Sequence, residues 1–144
     1  MLFGRKKRRI SRILLVEDEP LVAFDTEHFL TEAGLEIVAT CDSVLHALEA
    51  ITSDSAIDLV ILDVELSDGS GLDVARIAHG HGIAVLFVTG HCPGEAKMFA
   101  RGCLSKPYPQ RDLMLAIDAI DAALAGGKQR KRLPSSFSLF GEPA

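Results

Sequence analysis

The sequence predicts an α/β fold, a doubly wound five-stranded parallel sheet. Three observations predict it. Short, wholly apolar runs recur along the chain, such as Ile13-Leu14-Leu15-Val16 and Leu59-Val60-Ile61-Leu62, as expected of strands buried on both faces. Segments with helical spacing and helix-terminal residues separate these runs, and such alternation implies parallel pairing through right-handed crossovers. Acidic, hydroxyl and lysine side chains stand directly after four of the runs. Open α/β sheets place their chemistry at those carboxyl ends.

Each element follows from its residues. Ile13–Val16 is the first strand. Pro20 suits the first turn of a helix, Leu21, Phe24, His28 and Phe29 recur at near-helical spacing, and Gly34 ends the segment. Residues 35–40 form a short second strand. Asp42 or Ser43 caps the next helix, with Val44, Leu45, Leu48 and Ile51 expected to face inward. Residues 58–62 are the third strand, and a third helix opens at Gly71-Leu72-Asp73-Val74 and stops in Gly80-His81-Gly82. Residues 83–88 are the fourth strand. Pro93-Gly94-Glu95 starts a short fourth helix ending at Gly102, and Cys103–Ser105 is a short fifth strand. A last helix over 112–125 carries Leu113, Ile117, Ile120 and Leu124 on one stripe. The strand order expected for such a succession is flavodoxin-like.

Size and composition narrow the class. A chain of 144 residues with 48% apolar content has room for one domain with a substantial core. No stretch approaches the ~20 apolar residues of a membrane span. The opening Met1-Leu2-Phe3-Gly4 is too short for a secretory signal and precedes its basic residues instead of following them, so a cytoplasmic location is expected. Cys41, Cys92 and Cys103 are odd in number and show no CxxC spacing, which disfavours a disulfide framework or a zinc site. His28, His46, His79, His81 and His91 lack metal-ligand spacing and read as structural.

Charge is unevenly placed. Arg5–Arg9 holds five basic residues and Lys128–Arg132 holds four, so residues 11–127 retain six basic against nineteen acidic residues. The expected organisation is a basic tail over 1–10, one domain over 11–126, and a mostly disordered tail over 127–144. Phe137, Leu139 and Phe140 form a candidate docking motif within that tail.

The strand ends carry the chemistry. Glu17 and Asp18 follow the first strand, Asp63 the third, Thr89 the fourth and Lys106 the fifth. Acid pair, lone Asp, hydroxyl and lysine, in that order, make a Mg²⁺-assisted phosphoacceptor site with Asp63 as acceptor. Phosphoryl transfer to a carboxylate depends on positioning and charge neutralisation. Mg²⁺ takes oxygen ligands and keeps several waters. Asp18 and Asp63 each offer a direct carboxylate oxygen, Glu17 an outer contact through water, and the Glu65 backbone carbonyl a fourth. Lys106 supplies a fixed positive charge, Thr89 a hydroxyl for the attached group, and Gly90 an open approach.

These motifs, Leu15-Val16-Glu17-Asp18-Glu19-Pro20, Ile61-Leu62-Asp63 with Asp68-Gly69-Ser70-Gly71, Phe87-Val88-Thr89-Gly90, and Lys106-Pro107-Tyr108, resemble the receiver domain of two-component response regulators over roughly residues 11–126. The Thr-Gly and Lys-Pro-Tyr pairing is similar to stand-alone alphaproteobacterial receivers with a Phe-Ala-Thr-Gly motif. The resemblance implies that Asp63 takes a phosphoryl group from a histidine kinase or histidine phosphotransferase. It implies that Glu17 and Asp18 hold Mg²⁺ (Mn²⁺ or Ca²⁺ as substitutes), that Thr89 is the switch hydroxyl, and that Lys106 contacts the phosphoryl group. Further expectations are a downstream signalling protein as partner, no DNA-binding domain, pairing into a homodimer, and chemistry limited to phosphorylation and dephosphorylation of Asp63 itself. Two departures from the pattern matter. Cys103 stands where many receivers carry an aromatic, and Glu65 and His91 occupy the positions that gate the attacking water.

Two other classes compete. Asp63-Val64-Glu65 resembles the start of a haloacid-dehalogenase-type phosphatase, but that family puts its nucleophile on the first strand and an acid late in the chain, the opposite of this order. A scaffold acting through its basic tails, independent of phosphorylation, is the main alternative.

Overall fold

The computed structural model describes residues 8–54, 56–127 and 132–141. Five parallel strands form the body of the sheet: β1 (Arg12–Val16), β2 (Glu36–Cys41), β3 (Leu59–Leu62), β6 (Ala84–Thr89) and β7 (Gly102–Ser105). Between β3 and β6 a two-stranded antiparallel ribbon, β4 (Glu65–Leu66) and β5 (Gly69–Ser70), precedes helix α3 (Gly71–Gly80). The other helices are α1 (Pro20–Glu32), α2 (Val44–Ser53) and α4 (Gln110–Leu124). A sixth strand, β8 (Phe137–Leu139), lies antiparallel on β7, giving the order β2-β1-β3-β6-β7-β8. The expected doubly wound, flavodoxin-like order is present, with one strand added.

Alternation along each strand explains the layers. In β3, Val60 and Leu62 enter a core shared with α2 and α3, while Leu59 and Ile61 enter the opposite core with α1 and α4. All four are buried, because helices cover both faces. Val16 aligns with Leu62, Leu62 with Phe87, and Thr89 with Ser105. This register brings the residues after each strand to one end of the sheet.

In α1, Leu21 is 81% and Phe24 69% exposed, whereas Ala23, Thr26 and Leu30 are buried and Phe29 packs on the same core. Leu45 is also exposed, because it lies in the first turn of α2 beside the ribbon, and Ala47 and Ile51 face the core. The expected fourth helix is only a 3₁₀ turn at Gly94–Met98 with Ala96 buried, and Gly102 belongs to β7. A segment this short between glycines cannot hold a full helical ladder.

A further correction concerns the segment expected to be disordered over 127–144. Its residues 137–139 form β8, because Phe137 finds a buried seat against Leu104 and α4. The basic run before residue 132 and the first seven residues, with most of the expected N-terminal tail, lie outside the described residues.

Candidate functional site

Main-chain bonds fix the strand ends. The Glu17 amide donates to the Cys41 carbonyl at 2.9 Å, Asp63 to Val16 at 3.2 Å, and Lys106 to Thr89 at 2.9 Å. From these positions Glu17, Asp18 and Asp63 each present a carboxylate oxygen, all within 4.8 Å of one another. Lys106 reaches in from the neighbouring strand end, and its Nζ donates to Glu17 Oε1 and Asp63 Oδ2 at 3.0 Å each. Glu17 Oε2 accepts from the Glu19 amide and Asp63 Oδ1 from the Glu65 amide, both at 3.2 Å. Each oxygen of Glu17 and of Asp63 therefore has a donor, and neither carboxylate is free to swing.

The cluster opens into a cleft of about 450 Å³ lined by Asp18, Asp63, Glu65, Thr89, Gly90 and Lys106, among others. Thr89 is buried at its wall. Glu65, exposed, stands at the rim, whereas His91 is exposed and outside the lining. The structure thus brings together Glu17, Asp18, Asp63, Glu65, Thr89 and Lys106, and leaves His91 apart.

Electrostatics favour a small divalent cation here. Three carboxylates face one ammonium, which leaves two negative charges within a partly buried cleft. Oxygen donors of this type suit Mg²⁺. Burial pulls the Lys106 ammonium toward its neutral form, but the hydrogen bonds it donates to Asp63 and Glu17 outweigh that and hold its pKa above the ordinary lysine value. Lys106 is therefore a permanent cation near neutrality. The Cys103 thiol is pushed far up, first by burial and then by its hydrogen bond with Cys92. It is a buried apolar residue with no thiolate character.

Sequence reasoning gave no role to three residues that shape the site. A Cβ at Gly71 would collide with the Asp63 carbonyl oxygen, and the Gly71 amide donates to the Val64 carbonyl at 2.6 Å. Gly71 is thus what lets α3 start against the back of the Asp63 loop. Asp68 reaches from the ribbon to the start of α2, accepting from the Val44 amide at 2.7 Å and the Leu45 amide at 3.2 Å. Tyr108, after a cis Lys106–Pro107 bond, is half-buried and hydrogen-bonds Thr26 of α1, bracing the lysine's turn. The Asp-Gly-Ser-Gly string was the visible signal for the first two. Nothing in the sequence paired Tyr108 with Thr26.

The chain is similar to known proteins in sequence and in fold. A family model described as a response regulator receiver domain matches residues 13–118, a span containing every site residue above. The transcriptional regulatory protein PdtaR of Mycobacterium tuberculosis is 32% identical over 113 residues, covering 74% of this chain and 55% of PdtaR. The sensory transduction protein LytR of Staphylococcus saprophyticus is 29% identical, covering 78% of this chain and 46% of LytR. The chain spans about half the length of the curated relatives it matches. Among solved structures, the response regulator protein TrrA of Thermotoga maritima, in complex with Mg(2+)-BeF, superposes with a TM-score of 0.70. It is 28% identical, with 77% of this chain and 99% of TrrA covered.

Proposed function

The chain belongs to the response regulator receiver domain family, and on that premise we propose that it accepts a phosphoryl group on Asp63 from a phosphohistidine donor. Receiver domains of two-component systems are signalling phosphoacceptors that meet histidine kinases or phosphotransferases; the residue assignment and the partners of this chain are our reading. One observation carries it above the others: Lys106 Nζ bridges Asp63 and Glu17 at 3.0 Å within the three-carboxylate cluster, at the mouth of the cleft.

The step is a displacement at phosphorus. A carboxylate oxygen of Asp63 forms the new O–P bond, the N–P bond of the donor breaks, and the imidazole leaves with the bonding pair and takes up a proton. Glu17, Asp18 and Asp63, with the Glu65 carbonyl, would hold Mg²⁺, which supplies charge neutralisation to the transferring oxygens. Mg(2+)-BeF on TrrA supports that assignment by analogy. Lys106 stays charged and adds a fixed positive group beside the acceptor. Thr89, on the cleft wall, is the hydroxyl that turns toward the attached group.

Downstream action is by protein contact, and a stand-alone chain is part of the proposal; the intact mass of the protein isolated from cells tests that part. The central test is intact mass after incubation with Mg²⁺ and acetyl phosphate, for wild type and Asp63→Asn. One phosphoryl adduct on wild type alone is expected. Persistence of the adduct in Asp63→Asn would remove Asp63 from the role.

A further inference from the structure

β7 has neighbours of two kinds. On one side β6 pairs with it in parallel and carries Thr89. On the other, β8 runs antiparallel, with Leu104 opposite Phe137, Cys103 opposite Ser138, and Gly102 opposite Leu139. β8 lies beyond the span matched by the family model, which ends at residue 118.

The hold of this strand is specific. Phe137 is buried, and its ring occupies the space a side chain at Gly102 would take: a Cβ there would lie 2.6 Å from the ring. Leu133 and Leu139 pack on the same core as Phe137, whereas Phe140 packs on the opposite core, beyond the short 3₁₀ turn. The Phe140 amide donates to the Arg101 carbonyl and the Ser105 amide to the Ser136 carbonyl, both at 2.8 Å. Ser136 Oγ also donates to the buried Asp112 at 2.9 Å. An edge strand left open would be a template for pairing with another chain, and here the chain's own residues fill it.

The Ser105–Ser136 anchor adjoins the phosphoacceptor site. The Ser105 amide points outward to β8, and the next amide, Lys106, points inward to Thr89. Lys106 is the residue that bridges Asp63 and Glu17. A group added to Asp63 changes what the Lys106 ammonium is paired with, and Ser105, whose amide is bonded to Ser136, is the residue directly before that lysine.

We propose that the outer edge of β7 is a strand-binding groove, occupied in this structure by residues 133–140 as an internal ligand that loosens when Asp63 is phosphorylated. The partner it fits is an extended segment of a downstream protein with an aromatic residue to seat over Gly102 and an aliphatic one two positions on. Such a segment adds to the sheet edge by main-chain bonds, with pockets for alternate side chains setting its specificity. The link to Asp63 rests on the phosphoacceptor reading; the groove itself does not.

A fluorescently labelled peptide with the sequence of residues 133–140, titrated into the intact chain and followed by anisotropy, tests both parts. Phe137→Ala, whose own strand has lost its anchor, binds the peptide at least about tenfold more tightly than wild type. Ser136→Ala keeps the apolar contacts and shifts affinity the same way by less, as expected for one hydrogen bond. Adding Gly102→Ala to Phe137→Ala abolishes binding. Wild type with Mg²⁺ and beryllofluoride, its uptake followed independently by ¹⁹F NMR, gains affinity toward the Phe137→Ala value. No peptide binding to a folded Phe137→Ala or Ser136→Ala chain overturns the groove. Binding to those variants, with none gained by beryllofluoride-loaded wild type, overturns the link to Asp63. Absence of both the ¹⁹F signal and the phosphoryl adduct overturns the phosphoacceptor reading, while binding to Phe137→Ala would still stand.

Discussion

Replacing Lys106 with alanine leaves Glu17 and Asp63 facing each other with no cation between them. Two effects of opposite sense follow. The cluster becomes more negative and binds Mg²⁺ more tightly, while phosphoryl uptake slows by about a hundredfold, because a fixed charge at the reacting group is gone. Isothermal titration and adduct formation over time measure the two; weaker Mg²⁺ binding would show that Lys106 organises the carboxylates instead of competing with the metal. The pH dependence follows from the raised lysine pKa. A cation with a folded-state pKa above its unfolded value stabilises fully below the unfolded value, about 10.4, and loses this as pH rises through the folded one. The stability gap between wild type and Lys106→Met should therefore stay constant from neutrality to about pH 9 in urea titrations.

At the scale of elements, the joint between β3 and α3 is the place where fold and chemistry meet. Gly71→Ala forces a methyl against the Asp63 carbonyl, so a loss of about 1–3 kcal/mol in urea unfolding is expected, with slower phosphoryl uptake in the fraction that folds. Asp68→Ala removes the acceptor that closes the start of α2 and lowers the unfolding midpoint. Backbone donation, from Val44 above all, holds the Asp68 pKa below the usual carboxylate range. Its contribution is present above the unfolded pKa and fades as pH falls through the lower folded one. The wild-type and Asp68→Ala midpoints should converge in acid; a gap that persists to pH 2 would assign the effect to something other than the carboxylate.

The same scale shows what the residues alone disclosed. Strands buried on both faces are legible because they are uniformly apolar, and β1, β3 and β6 lie within a residue of their expected bounds. The buried face of α1 was not legible, since Ala23 and Thr26 carry too little hydropathy to compete with Leu21 and Phe24. The six residues that line or hold the cleft were legible by position, each directly after or near a strand end. Their partners Gly71, Asp68 and Tyr108 act through contacts that local sequence does not record.

For the whole molecule, the surplus negative charge at one end of the sheet predicts that divalent cations raise stability. By mass action, Mg²⁺ at a hundredfold excess over its Kd adds about 2.7 kcal/mol to wild type, and Asp18→Ala should reduce that gain in thermal unfolding. Equal gains in both would place the ion elsewhere. β8 was not foreseen because its three residues follow a stretch of Pro and Ser and acquire strand character only against Gly102 and Leu104. Its direction has one more consequence. β1 starts, and β8 finishes, at the end of the sheet opposite Asp63: Asp58 donates its amide to the Arg12 carbonyl there, and Phe140 donates to Arg101. A tether attached before Arg8 or after Gly141 would therefore hold the molecule by its base and leave the acidic cleft facing outward. On a sensor surface, a molecule held at Arg8 or at Gly141 would present the end of the sheet that carries Asp63 to solution.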